Sequence, residues 1–249
     1  MATGINIDEF KRFTEFLAKK SGKGDYATPS QFNLLVNQAI REYIYRRNGN
    51  KQQYQVSHPI PPVSYEKTSD VMDDLRYLKE VRTFVANNGV IPIPDGSTVV
   101  DINGAVCPEY IHWKSLRHYY YVQNGSEIVK KQYDIKVVPE VEIGRRLVSE
   151  VNPPTKKFAI GQILSTSIQL YPTTVQYVVM DYLRYPVSAT WAYTTTNGRP
   201  VYDSANSVNI ELPKEAMNEV AMMYLSFLGI NMRDGELVQY AETMKNQGV

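Results

Sequence analysis

Sulfur and imidazole are scarce in this chain. One cysteine and three histidines occur in 249 residues, so no internal disulfide can form and clustered zinc ligands are out of reach. A lone thiol fits assembly in a reducing compartment. If His112 and His118 share a strand they stand about 20 Å apart, too far to hold one metal, and His58 is remote from both. Cys107 precedes Pro108 and has no neighbouring histidine or basic group, which reads as a buried, inert thiol.

Excess charge is also missing. With 27 basic and 26 acidic side chains the formal charge is +1, which excludes the strong basic footprint of a dedicated nucleic-acid binder and leaves only local contacts. No run approaches the roughly 20 apolar residues of a membrane span. The stretch Met1-Ala2-Thr3-Gly4 has no basic patch leading into an apolar core, so no secretory signal is expected, and Asn124-Gly125-Ser126 reads as a turn rather than a glycosylation acceptor.

Catalytic motifs are absent too. No GxSxG, HExxH, EF-hand or dinucleotide fingerprint occurs. Gly22-Lys23 fails as a phosphate loop because Leu17 stands where the first glycine belongs, Gly24 replaces the magnesium-binding hydroxyl, and a helix precedes it. Asp70, Asp73 and Asp74 spread around one helix end rather than facing each other across a cleft. The expectation is a protein that is not an enzyme, with no cofactor and no metal.

What the chain does have is a core: 43% of its residues are apolar, and its length suits one large or two modest domains. Tyrosine is abundant, with 19 against 7 Phe and 2 Trp. This suits either surfaces buried on association or plain β-propensity. A helix capped by Asp8 carries Phe10, Phe13 and Leu17. A second opens at Thr28-Pro29-Ser30-Gln31, a capping box with first-turn proline, and runs through Phe32, Leu35, Val36, Ala39, Ile40, Tyr43 and Ile44. Residues 51–65 form a proline-rich connector, and a third helix is expected over 66–78.

β texture follows at 99–102, 110–122, 133–138, 158–164, 167–171 and 176–182, with a short helix near 140–150 and a hairpin turning at Asn197-Gly198. Pro213 opens a helix expected to stop at Gly229, and Asp234 begins a last one. The organisation is α+β. A helical region with its connector spans 1–95, a β-rich sandwich or barrel-like region spans 96–212, and a C-terminal helix pair over 213–249 packs back on the helical region.

The apolar stripe of the penultimate helix is wider than one surface contact requires. Such a helix is either central in its own domain or shared with a neighbour, and Met217, Val220, Tyr224 and Phe227 are the candidate subunit-interface residues. Leu237, Tyr240 and Met244 of the last helix are candidates for docking into a neighbour. Of four dibasic pairs, Arg46-Arg47, Lys130-Lys131, Arg145-Arg146 and Lys156-Lys157, the last follows Pro153-Pro154 in a loop. Lys156 and Lys157 are the candidates for a weak, sequence-independent contact with DNA phosphates.

The layout resembles the neck, or head-to-tail connector, ring proteins of crAss-like short-tailed bacteriophages, and more distantly the adaptor and tail-tube proteins beneath the portal. The resemblance rests on Asp8-Glu9-Phe10, Thr28-Pro29-Ser30-Gln31-Phe32-Asn33, the connector from Pro59 to Tyr65, Tyr182-Leu183-Arg184-Tyr185-Pro186 with Trp191, the helix after Leu212-Pro213, and Gly229-Ile230-Asn231-Met232-Arg233-Asp234. It implies a structural virion protein, made in the host cytoplasm. Such a protein forms a homo-oligomeric ring, commonly twelvefold, that meets the portal and other neck or tail rings and lets the genome pass during ejection. No active-site residue is carried over. The β-rich middle departs from simpler, mostly helical adaptors. A carbohydrate-binding tail or receptor-recognition module is the alternative, since tyrosine and tryptophan can stack on sugars; a nucleic-acid binder outside the virion is disfavoured by the near-zero charge.

Overall fold

Capping chemistry sets where the first helices begin. In the computed structural model, which describes residues 4–19, 27–49, 73–124 and 127–232 together with Gln239 and Thr243, helix α1 covers Ile7–Lys19. Its cap is Asn6 rather than Asp8: Asn6 Oδ1 accepts the N–H of Asp8 at 2.9 Å and of Glu9 at 3.1 Å. Asp8 instead pairs with Arg12 at 2.7 Å. Helix α2, Pro29–Gly49, starts with the reciprocal box read from sequence. The Thr28 N–H donates to Gln31 Oε1 at 3.0 Å, and the Gln31 N–H donates to Thr28 Oγ1 at 3.4 Å.

The chain divides into two units, one from residues 1–77 and 186–249 and one from Leu78–Tyr185. In the first, Leu212-Pro213 leads through a 3₁₀ turn at Lys214–Ala216 into a long apolar helix, α3 (Met217–Met232). It runs through Gly229, so the expected stop there is wrong. Gly229 is buried inside the helix, and a buried helix tolerates a glycine whose missing side chain lets neighbours approach. Phe10, Phe32 and Tyr224 meet at ring-centroid distances of 5.5 to 6.4 Å, tying α1, α2 and α3 together.

Two asparagines one turn apart on α2 hold the extended segment that follows. Asn33 accepts the Trp191 N–H at 2.8 Å and donates to its carbonyl at 3.3 Å, and Asn37 does the same for Ala189 at 2.9 and 2.8 Å. Side-chain amides thus substitute for a neighbouring strand. Beyond them, β9 (Tyr193–Thr196) and β10 (Arg199–Tyr202) form the expected hairpin, with Asn197 and Gly198 both at positive φ.

The second unit is a sandwich of two four-stranded sheets. Strands β1 (Lys79–Val85), β8 (Tyr177–Arg184), β3 (Tyr110–Asn124) and β4 (Glu127–Asp134) form one sheet in that order. The other is β2 (Val90–Pro92), β7 (Ser167–Tyr171), β6 (Ile160–Ile163) and β5 (Lys136–Val137). Phe84, Leu116, Val178, Met180 and Tyr182 from the first sheet and Ile91, Ile168 and Leu170 from the second share one core. A short helix at Glu140–Val148 covers a satellite cluster of Val138, Ile143 and Ile160.

Several expectations move. The β-rich unit begins at Leu78 rather than 96, because β1 and β2 were not foreseen, and the segment 186–212 lies in the unit that holds α1 and α2. Residues 99–102 make only a bridge, Val100 to Val106, because Asp101 Oδ1 accepts the N–H of Asn103 and Ala105 and bends the chain. Of the helix expected at 66–78, Asp73–Asp74 are helical and Arg76–Leu78 form a 3₁₀ turn; the rest of it, the 51–65 connector and the start of the last helix lie outside the described residues. No helix among the described residues is long and apolar enough to cross a membrane.

The aromatic junction yields a stability test. Tyr224→Ala should cost about 3–5 kcal/mol, the range for emptying a large buried ring site, whereas Leu34→Ala, at a position 70% exposed, should stay within about 0.5 kcal/mol. Urea unfolding followed by Trp191 fluorescence in a Trp113→Phe background isolates this unit; equal costs would show that Tyr224 is not a core residue.

Candidate functional site

At one end of the sandwich three connections converge on β3. The β1–β2 turn carries Asn88 and Gly89, both at positive φ; the second connection holds Lys156; the third, Thr173 to Gln176, leads into β8. Together with His118 and Tyr120 they line a pocket of about 450 Å³. The walls are held by main-chain bonds: the Leu170 N–H donates to the Gly89 carbonyl at 2.7 Å, and the Ala86 N–H to the Gln176 carbonyl at 2.7 Å. Gly89 is required here, because a Cβ would stand 2.7 Å from the Leu170 carbonyl and 2.9 Å from Thr173 Cα.

His118 is the unusual group. It is 1% exposed and its Nε2 is buried with no hydrogen-bond partner. Its ring stacks on Tyr120 at 6.1 Å and Tyr133 at 5.9 Å. Burial pushes its pKa below the usual histidine value; a bond to the Lys156 main chain opposes this, and the Lys156 charge adds to the lowering. The imidazole is therefore neutral near neutral pH. Lys156 is exposed, with Nζ 5.8 Å from the Tyr120 ring centroid, and Lys157 is exposed beside it.

The second notable feature lies beyond Tyr119. Strand β3 pairs with β8 only as far as Tyr119 opposite Tyr177, yet its ladder with β4 continues through Tyr120, Tyr121, Val122, Gln123 and Asn124. This two-stranded ribbon reaches about 16 Å past the sheet, at roughly 3.3 Å per residue. It leaves Tyr121 57%, Ile128 73% and Val129 39% exposed. At its base Tyr119 stacks on Tyr177 at 5.2 Å, and Lys130 Nζ sits 3.8 Å over the Tyr119 ring.

The candidate interface residues are distributed differently from expectation. Val220 and Tyr224 are 0% and 3% exposed, buried in the unit's own helical core, while Met217 and Phe227 are half-buried. The wide stripe therefore reflects a central helix, packed on α1 and α2. Leu237, Tyr240 and Met244 lie outside the described residues. Of the dibasic pairs, Arg46 binds Glu42, Arg47 binds Asp74 and Glu219, and Arg146 binds Glu142, whereas Lys130-Lys131 and Lys156-Lys157 sit exposed in the sheet unit.

Among the described residues no group of three or more His, Cys, Asp or Glu could hold a metal ion. Cys107 is fully buried, and desolvation raises its pKa, so the thiolate is disfavoured. Ser115 donates to Asp181 at 2.5 Å, but the same carboxylate is held by Arg117 at 2.7 Å. No family model and no curated protein matches this chain.

Sequence reasoning weighed His118 only as a metal ligand beside His112 and set it aside; its partners come from distant loops. It also missed the ribbon, for which the run of apolar and charged residues on both sides of Asn124-Gly125 was the available signal.

The buried imidazole sets a pH dependence. Its folded pKa lies below the unfolded value of 6.5, so the unfolded chain takes up the proton first, and stability present above that pH falls as pH drops through it. His112 is also lowered by burial and contributes in the same sense. Urea midpoints read by Trp113 fluorescence should fall from about pH 7.5 to about pH 5.5, and His118→Gln should flatten that slope. An unchanged slope would remove His118 as its source.

Proposed function

We propose that this protein is a structural virion protein that forms a ring in a phage neck, joining portal to tail and surrounding the path of the genome. The observation that carries the reading is the β3–β4 ribbon. A two-stranded ribbon is marginal alone, and one that exposes Tyr121, Ile128 and Val129 gains most by burial against a neighbouring subunit. Heterologous contacts of this kind close into rings when the rotation permits. The resemblance of the helical blocks and of the strand ending in Tyr185-Pro186 to neck proteins supplies the setting.

In this reading the ribbon, with Met217 and Phe227 as secondary contacts, joins subunits, and Leu237, Tyr240 and Met244 dock the last helix on a neighbour or the adjoining ring. Lys156 and Lys157 offer only local positive charge, suited to weak, sequence-independent contact with passing DNA. A conduit that held its genome tightly would not release it. The ring meets the portal above and further neck or tail rings below.

Electron microscopy of virions or portal complexes is the direct test, with a closed ring beneath the portal expected; a monomer attached to the capsid exterior would overturn the proposal. In the same system Ile128→Asp and Tyr121→Asp should abolish ring formation while leaving the unfolding free energy within about 0.5 kcal/mol of the parent, since both side chains are exposed. Normal assembly by both variants would exclude the ribbon as the joint.

A further inference from the structure

The connection that carries Lys156 is scarcely packed. Residues 150–158 are all exposed except the half-buried Pro154, with Val151 at 96% and Phe158 at 68%. Their own hydrogen bonds are local: the Asn152 N–H donates to Ser149 Oγ at 3.1 Å, and Thr155 and Phe158 exchange main-chain bonds at 3.4 and 3.1 Å. Among the described residues one hydrogen bond crosses from this loop to the sheets, between the Lys156 main chain and the imidazole of His118. That bond, with the Lys156 ammonium 5.8 Å from the Tyr120 ring centroid, pins the loop to the sandwich.

The ring that makes this bond has no place for a second proton. Its Nε2 is buried without a partner, so the N–H that meets the Lys156 carbonyl is that of Nδ1, and Nε2 is a bare acceptor on a ring stacked between Tyr120 and Tyr133. Protonation in place would bury a cation whose new N–H has nothing to donate to. Its surroundings offer no compensation. On its own sheet stand the Tyr120 and Tyr133 phenols and, opposite Tyr120 on β4, the cation Lys131; the loop brings the cation Lys156, and the other two connections bring only the uncharged Asn88, Thr173, Thr174 and Gln176. No carboxylate is among these groups. Water reaches Nε2 most cheaply if the loop leaves, because the loop has the least packing to lose.

We propose that His118 is an acid-released latch: the neutral ring holds the Lys156 carbonyl and keeps the loop on the sandwich, and uptake of a proton sets the loop free. The direction follows from burial. The latched ring has its pKa lowered from 6.5, which the released ring regains, so latching is complete above that pH and weakens as pH falls through it. While the latched ring stays neutral, a fall from about pH 7.5 to about pH 5.5 raises the ratio of released to latched loop about tenfold. The device lies within the unit Leu78–Tyr185 and does not depend on ring assembly. Because the loop carries Lys156 and Lys157, release also frees this exposed basic pair from the sheet.

Trypsin reads the latch directly, because the carbonyl it must attack after Lys156 is the one that His118 holds. Cleavage through a local opening follows the population of the open form. The initial rate of cleavage after Lys156 in the full chain, located by mass spectrometry, is divided at each pH by that of a synthetic peptide of residues 150–162, which removes the pH dependence of the protease itself. This ratio should rise about tenfold from about pH 7.5 to about pH 5.5. Cleavage after Arg117, in the middle of β3, reports opening of the whole sheet and should not rise with it. His118→Asn, whose carboxamide keeps a donor near the place of Nδ1 and does not titrate, should give a flat ratio, and His118→Phe, with no donor, a high ratio at both pH values. A flat ratio in the parent, a parallel rise at Arg117, an equal rise in His118→Asn or a low, unchanging ratio in His118→Phe would overturn the proposal.

Discussion

The sheet unit is governed by a mismatch of strand lengths. Strand β8 is paired on both sides, to β1 and β3, and drives Val178, Met180 and Tyr182 into the core. It starts at Tyr177, whereas β3 continues to Asn124. Where β8 is missing, β3 has only β4 for company, and the paired strands run on as a ribbon whose Tyr121 face is open while Tyr120 and Val122 stay half-buried. The same vacancy gives the loop before β8 room to fold over His118. Ribbon and pocket are two outcomes of one ladder ending early.

Edges are managed differently on the two sides of that sheet. Strand β1 turns Val81 and Val85 outward and Glu80 and Arg82 to the other face, where Arg82 bonds Glu80 at 2.6 Å and Asp101 at 2.9 Å. Its Thr83 carbonyl also accepts the Ile102 N–H at 2.8 Å, so this edge is partly covered. On β4 all residues but Tyr133 are exposed. Inward charge and a covering loop protect one edge, and exposed charges, Lys130 and Lys131 at mid-strand, guard the other.

That inversion explains why β1 escaped sequence reasoning. Alternation is visible, but Val81 and Val85 face outward while Glu80 and Arg82 share the inner face with the single core residue Phe84, so most of the strand runs opposite to the pattern from which a half-buried strand is recognised. The signals that did carry through were those whose physics is local. The capping box at Thr28–Gln31 and the Asn197-Gly198 turn need only neighbouring residues, and the α+β class follows from the spacing of apolar positions. The Asn6 cap was not read from the sequence, where Asp8 stood in that role, and continuation through Gly229 depended on burial by other helices. The pocket was the least legible, because Asn88, His118, Lys156 and Thr173 come together only after both sheets have closed.

The chain leaves the helical unit at Tyr77 and re-enters it at Pro186, so that unit is assembled from two pieces made at different times. During synthesis at about 5–20 residues per second, the partners of Phe10 and Phe32 on the late helix arrive on the order of ten seconds after α2 has been made. For that interval the apolar faces of α1 and α2 have no completed core. The sheet unit is continuous in sequence and can close first, which makes it the earlier folding event on the ribosome and leaves the N-terminal helices dependent on chain completion.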